Sequence, residues 1–230
     1  MLEIDIRKIP VFWINLDADV VRREAMLKFF ETHNFENVTR VPGVVHSEHK
    51  TGCGLAHLAA FNAAPAENFI IMEDDCVKSS CFSPVVHMPS NTDGFYLGIS
   101  RAGAAYCPTL VDARLTAGEY RTGSNGVRSA HGLGLVQAVP VSSNVCKITN
   151  MVSAHAIYYR SSRYARVCAN LTEKSLQQDI AHDVLFALNM QNCNVYCNWS
   201  PMFYQHSGVE ATNIEICNVT GKIIHVSSND

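Results

Sequence analysis

The first third of the chain predicts an α/β fold built on a parallel sheet. Short apolar runs rich in β-formers alternate with stretches of helical length, and those stretches open on residues suited to capping. The third such run, Phe69-Ile70-Ile71-Met72, ends in Glu73-Asp74-Asp75, three carboxylates with no basic residue among them.

The elements follow in order. Val11–Leu16 reads as a strand by its apolar continuity, and Asp17 or Asp19 caps a helix from about Val20 to His33, with Ala25, Met26, Phe29 and Phe30 as its apolar stripe. A strand near Val38–Val41 stops at Pro42-Gly43. Thr51-Gly52 opens a second helix in which Leu55, Leu58 and Phe61 share a face, and Pro65 closes it before the Phe69–Met72 strand. Phe95–Leu97 and Ala156–Tyr159 read as strands, and the Gly- and Ser-rich stretch 100–134 between them as loops. Ser161 or Ser162 caps a helix through Leu171, and a further helix covers about Gln178 to Gln191. Val195–Cys197 and Ile223–Val226 complete the set.

With 230 residues the chain can bury a real core, and the absence of repeats or linkers makes one domain over 1–230 the simpler expectation. A net charge of −3 leaves no basic footprint for nucleic acid. No apolar run approaches the ~18–20 residues that cross a bilayer. The nine scattered cysteines read as reduced thiols of a cytoplasmic protein, since extracellular frameworks pair theirs.

Chemistry concentrates at a few places. Like charges as close as Glu73, Asp74 and Asp75 repel, and a carboxylate at the end of a buried strand is costly to desolvate. A divalent cation relieves both, and ligands in open α/β sheets sit beyond the carboxyl ends of strands. The run therefore reads as a metal site gripping a phosphorylated substrate; it equally suits a solvated acidic turn. Arg22 and Arg23, near a helix N-terminus beyond the Asn15-Leu16-Asp17 corner, suit a diphosphate or pair with Glu24 or Asp19 on the surface. Asp179 and Asp183 are spaced i, i+4, which on one helix puts both carboxylates on one face, one as a cap and one as a general base. His206 can complete a metal shell begun by carboxylates or serve structure alone. Neither a dinucleotide fingerprint nor a phosphate loop ending in Gly-Lys-Ser/Thr occurs.

Taken in order, these segments resemble family 25 glycosyltransferases. The resemblance rests on Ile14-Asn15-Leu16-Asp17 with Arg22-Arg23-Glu24, on Gly52-Cys53-Gly54-Leu55-Ala56-His57, and on Met72-Glu73-Asp74-Asp75. Tyr96-Leu97-Gly98, Asp183-Val184-Leu185-Phe186 and Pro201-Met202-Phe203-Tyr204-Gln205 continue it, so it spans about Val11 to Ile214. Ala56 stands where the family has serine, and Ala18-Asp19 where it has a basic pair. In its compact length the chain is similar to the short single-domain transferases of large DNA viruses.

The resemblance implies a GT-A fold, a three-layer α/β/α sandwich around a mixed, mostly parallel sheet. Residues 1–100 would form the nucleotide-sugar half and 101–230 the acceptor half. It implies Mn²⁺ or Mg²⁺ with a nucleotide-sugar donor, UDP-linked, and transfer with inversion to a hydroxyl of a glycan or glycoprotein. On that reading Asp75 is the direct metal ligand, and Glu73 or Asp74 contacts ribose or reaches the ion through water. His206 is an added metal ligand, and Asn15, Leu16 and Asp17 with Arg22 or Arg23 hold the nucleotide. Asp183 is the base and Asp179 its alternate; His57 is a nucleotide contact or a buried structural histidine. A nucleotidyltransferase using an NTP with Mg²⁺, and a non-catalytic carbohydrate-binding domain of the same fold, are the two other classes that suit these residues.

Overall fold

The computed structural model describes residues 1–99 and 136–205, with the backbone of 214–216 and 223–225. The stretch expected as loops at 100–134 and the histidine at 206 lie outside the described residues. The chain opens with β1 (Leu2–Asp5) and a 3-10 turn (Ile6–Lys8), then β2 (Val11–Asn15), α1 (Val20–Thr32), β3 (Val38–Pro42), α2 (His49–Ala63) and β4 (Phe69–Glu73). Four short strands follow: β5 (Cys76–Lys78), β6 (Val85–Met88), β7 (Gly94–Tyr96) and β8 (Gln137–Pro140). Next come β9 (Val145–Thr149), β10 (Ala156–Tyr159), α3 (Ser162–Gln178), α4 (His182–Asn189), β11 (Val195–Asn198) and β12 (Phe203–Gln205). Ile214–Ile216 and Ile223–His225 pair as β13 and β14.

Eight strands form one sheet in the order β3-β2-β4-β10-β7-β11-β9-β8. β3 and β4 flank β2 in parallel, as the strand–helix alternation requires, and β11 parallels β7. The other four neighbour pairs are antiparallel, so the sheet is mixed but not mostly parallel as expected. Connection length explains part of this. The 141–144 link between β8 and β9 is far too short for the crossover a parallel pair needs.

Alternation along the central strands sorts side chains between two cores. Phe12, Phe69, Ile71, Ile157 and Tyr159 face the side covered by α2, α3 and α4, together with Phe61, Tyr164 and Phe186. Val11, Trp13, Ile70, Met72, Ala156 and Tyr158 face the opposite side, where Met26 and Phe30 of α1 pack with Ile6, Val86 and Phe203.

Asp19 and Ser161 cap α1 and α3 by accepting the amide hydrogens of Arg22 and Tyr164. The buried stripe of α1 is Met26 and Phe30, while Ala25 is exposed. In α2 the buried face is Gly52, Gly54, Ala56, His57, Ala60 and Phe61, with Leu55 and Leu58 only half-buried. Small residues let this helix press against its neighbours: a Cβ on Gly52 would lie 2.5 Å from the Val44 carbonyl oxygen.

The C-terminal helices differ from expectation. α3 runs to Gln178 and ends on Asp179 in the left-handed conformation, φ 55°. α4 then starts afresh at His182. Asp179 and Asp183 therefore share no helical face. Asp tolerates the left-handed region better than most residues, which permits the break without a glycine. No helix among the described residues is long and apolar enough to cross a membrane.

Candidate functional site

The parallel pairing of β2 with β4 brings their carboxyl ends together, with Ile14 opposite Glu73. Asn15 and Glu73-Asp74-Asp75 therefore meet at one sheet edge. A cleft of about 280 Å³ lies there, walled by that edge, by Val44, Val45 and His46, and by the first turns of α2.

On one bank Asn15, only 1% exposed, is a hub. Its side-chain amide donates to Asp74 Oδ2 (2.6 Å) and to the Asp19 carbonyl (3.0 Å). Arg40, from the edge strand β3, donates to both Asn15 oxygens (3.0 and 2.9 Å) and pairs with Asp17. Arg22 bridges Asp74 (3.2 Å) and Asp19 (3.3 Å). Each carboxylate on this bank has a cation beside it.

The other bank is acid-rich and poorly satisfied. Glu73 Oε1 meets His57 Nε2 at 2.9 Å, with the Cys53 thiol at 4.0 Å. Gln205 donates to Asp75 Oδ2 (3.0 Å) and, more weakly, to Glu73 Oε2 (3.4 Å). The antiparallel pairing of β5 with β12 puts Gln205 there, opposite Cys76. Asp75 Oδ1 is buried and has no hydrogen-bond partner among the described residues; the same holds for His57 Nδ1 and His182 Nε2. The His57 and His182 rings lie 4.2 Å apart.

Electrostatics follow this layout. Burial, then the neighbouring Asp74 charge, pushes Glu73 well above the usual carboxylate range. Burial, then the Glu73 charge, does the same to Asp75. Asp183, on the first turn of α4, rises to about 6 through burial and the Glu73 charge. Burial pushes His57 down to about 3 and, with His57 beside it, His182 well below its ordinary value, so both rings are neutral.

Of the residues expected at a nucleotide and metal site, Asn15, Leu16, Arg22, His57, Glu73, Asp74 and Asp75 line the cleft. Asp17 and Arg23 do not. Asp17 is 78% exposed and occupied by Arg40. Asp179 is also outside it, in solvent and paired with Lys50 at 2.8 Å. Asp183 is half-buried, accepts from the Val184 amide (2.9 Å), and does not line the cleft, although it feels the Glu73 charge.

Arg40 and His182 escaped the sequence reading, and Cys53 and Gln205 entered it only inside motifs, with no role assigned. Arg40 is the lone charge in the interior of a predicted strand, a signal of an inward role. Gln205 reaches the acids only through long-range pairing. Cys53 and His57 are spaced i, i+4 on a helix, a legible ligand spacing, but His182 joins them only in three dimensions. Cys53, His57, Glu73 and His182 offer donor atoms all within 4.8 Å of one another, a group that could hold a metal ion. No protein-family model and no curated protein matches the chain, so its chemistry is read from these residues.

Proposed function

We propose that the chain is a metal-dependent glycosyltransferase of GT-A type, similar to family 25. It would move a sugar from a UDP-linked donor to an acceptor hydroxyl on a glycan or glycoprotein. The observation that carries the reading is the buried Asp75 Oδ1, without a partner among the described residues, in a carboxylate cluster at the joined ends of β2 and β4. A buried carboxylate oxygen rarely stays without a partner, and one crowded by Glu73 favours a cation.

Asp75, with Glu73 beside it, would hold Mn²⁺ or Mg²⁺. When bound, such an ion neutralises the charge that develops on the departing diphosphate. The chain's own residues supply the rest. Asp74 is already engaged by Asn15 and Arg22, so it braces the cleft wall. Arg22, lining the cleft and 43% exposed, can exchange a carboxylate partner for a phosphate. Asp183 does not line the cleft, so it would take the proton of the acceptor hydroxyl through one intervening water, as that oxygen bonds to the anomeric carbon and the nucleoside diphosphate leaves. Its raised proton affinity suits a base working near neutral pH.

The test is product release from a panel of UDP-sugars and NTPs, with and without Mn²⁺. The expected result is UDP from a UDP-sugar, dependent on the metal. Asp75→Ala should lower that turnover by on the order of 10²–10³-fold while the far-ultraviolet circular dichroism stays native. Pyrophosphate from an NTP, or turnover indifferent to both metal and Asp75, would refute the reading.

A further inference from the structure

Beside Asp75, on the same cleft wall, lies a second donor set whose chemistry is of another kind. Cys53 and His57 project from the same face of α2, Glu73 closes β4, and His182 opens α4. A thiol, two imidazoles and one carboxylate share a space in which all four donor atoms lie within 4.8 Å. We propose that Cys53, His57, Glu73 and His182 form a closed four-ligand site for a Zn²⁺-class ion. The site shares Glu73 with the Asp75 position, but its test reads zinc alone and does not depend on transferase activity.

Ligand type selects the ion. Oxygen-only sets suit Mn²⁺ and Mg²⁺, whereas a thiolate with imidazoles selects a borderline-soft, four-coordinate ion, with Zn²⁺ the usual occupant. Geometry agrees. In a tetrahedral shell with bonds of roughly 2.0–2.3 Å, neighbouring donors sit roughly 3.3–3.6 Å apart. His57 Nε2 to Glu73 Oε1 is 2.9 Å and Cys53 Sγ to the same oxygen is 4.0 Å. These two separations fall on either side of the tetrahedral spacing, and the remaining donors, all within 4.8 Å of one another, would draw in around a bound ion.

A second observation points to a ligand. His57 is 0% and His182 4% exposed; His57 meets Glu73 through Nε2, while His182 Nε2, beside it, has no hydrogen-bond partner among the described residues. Two buried imidazoles, their rings 4.2 Å apart and tilted, beside a carboxylate and a thiol have little reason to converge for packing alone, since apolar side chains fill such space without leaving polar atoms unpaired. Glu73 serves both places: its Oε1 faces His57 and Cys53, and its Oε2 faces Gln205 and the Asp75 side. An ion held here would tie α2, β4 and the first turn of α4 together. His182 is followed directly by Asp183, so the site also fixes where that carboxylate stands.

The decisive measurement is X-ray absorption at the zinc edge of the full chain purified with zinc and dialysed. One sulfur at roughly 2.3 Å with nitrogen and oxygen at roughly 2.0 Å, and one ion retained per chain, is the expected shell. A six-coordinate shell without sulfur, or zinc lost on dialysis, overturns the proposal. Cobalt substitution reads the same site in solution: the parent chain should show thiolate-to-cobalt charge transfer and strong four-coordinate visible bands. Cys53→Ser should abolish the charge transfer and reduce retained zinc several-fold, and His182→Asn should reduce retained zinc likewise. Substitution of the exposed Cys81 by serine should change neither. Unaltered zinc content in both Cys53→Ser and His182→Asn overturns the assignment, and the absorption measurement on the parent chain decides even if those variants do not fold.

Discussion

Both banks of the cleft carry carboxylates, yet they differ in how completely their polar atoms are paired. On the Asn15 bank Arg22 and Arg40 face Asp17, Asp19 and Asp74, and one buried amide joins them. On the Glu73 bank two carboxylates crowd together, two imidazoles are neutral, and three buried atoms lack partners among the described residues. The first arrangement is complete in itself and acts as a scaffold. The second leaves several buried polar atoms open, as His155 Nε2 and Tyr159 Oη are elsewhere among the described residues, but only here do the open atoms gather beside crowded carboxylates, which suits a cation.

Substitutions can break or sharpen that contrast. The largest effect is expected at Asp183→Asn, which keeps the side-chain shape and removes the base: kcat should fall by on the order of 10²–10⁴-fold, with donor affinity nearly unchanged in a titration with UDP-sugar. Weakened donor binding with normal turnover would assign Asp183 to binding instead.

Next is the hub of the satisfied bank. Asn15→Ala leaves Asp74 and Arg40 without their buried partner, and should lower unfolding free energy by about 2–3 kcal/mol in urea titration. A loss below half of that would mean that water replaces the amide and that the bank is less integral than its hydrogen bonds indicate.

Asp75 predicts a smaller effect with a pH signature. Its proton affinity is raised from the ordinary 3.8 to about 7 in the fold, so the folded chain retains a proton that the unfolded chain releases between those values. The contribution of Asp75 to stability therefore falls as pH rises through that window. The buried, neutral His57 and His155 act with the opposite slope, so the comparison with Asp75→Asn isolates the carboxylate. Without divalent ions, Asp75→Asn should match the parent's melting temperature near pH 4 and exceed it near pH 7.5 by on the order of 5 °C. A variant that melts lower at pH 7.5 would show that the metal-free fold compensates the Asp75 charge.

Least affected should be Asp179→Ala. It removes an exposed pair with Lys50, for a change within about 0.5 kcal/mol and no change in turnover. A large loss of activity would restore Asp179 as the base.

The contrast between banks also marks what the sequence could disclose. β2 and β4 were legible because each is apolar over its own length, α1, β3 and α2 from their place between them and the turn residues that bound them, and the Asp19 and Ser161 caps follow directly from local chemistry. The acids of the Glu73 bank were legible as a run. β1, β5, β6, β8 and β9 were not, since they are short, partly exposed strands whose pairing is set by distant segments. The α2 face was misjudged because glycine, alanine and histidine, rather than leucine, meet the neighbouring layer. The break at Asp179 carried no glycine or proline to announce it. Arg40, Gln205 and His182 entered the site through sheet order and helix placement, which no local window contains.

One feature of the topology bears on how the chain is made. β10 sits between β4 and β7, although some sixty residues of sequence separate it from β7. A nascent chain that has emerged only through β7 therefore has two central strand edges bare, and they stay bare until residue 159 leaves the ribosome. During that interval the acidic rim is half-assembled and the apolar strands are open to wrong partners. Shortening the gene product anywhere before that point should yield inclusion bodies instead of a smaller working unit.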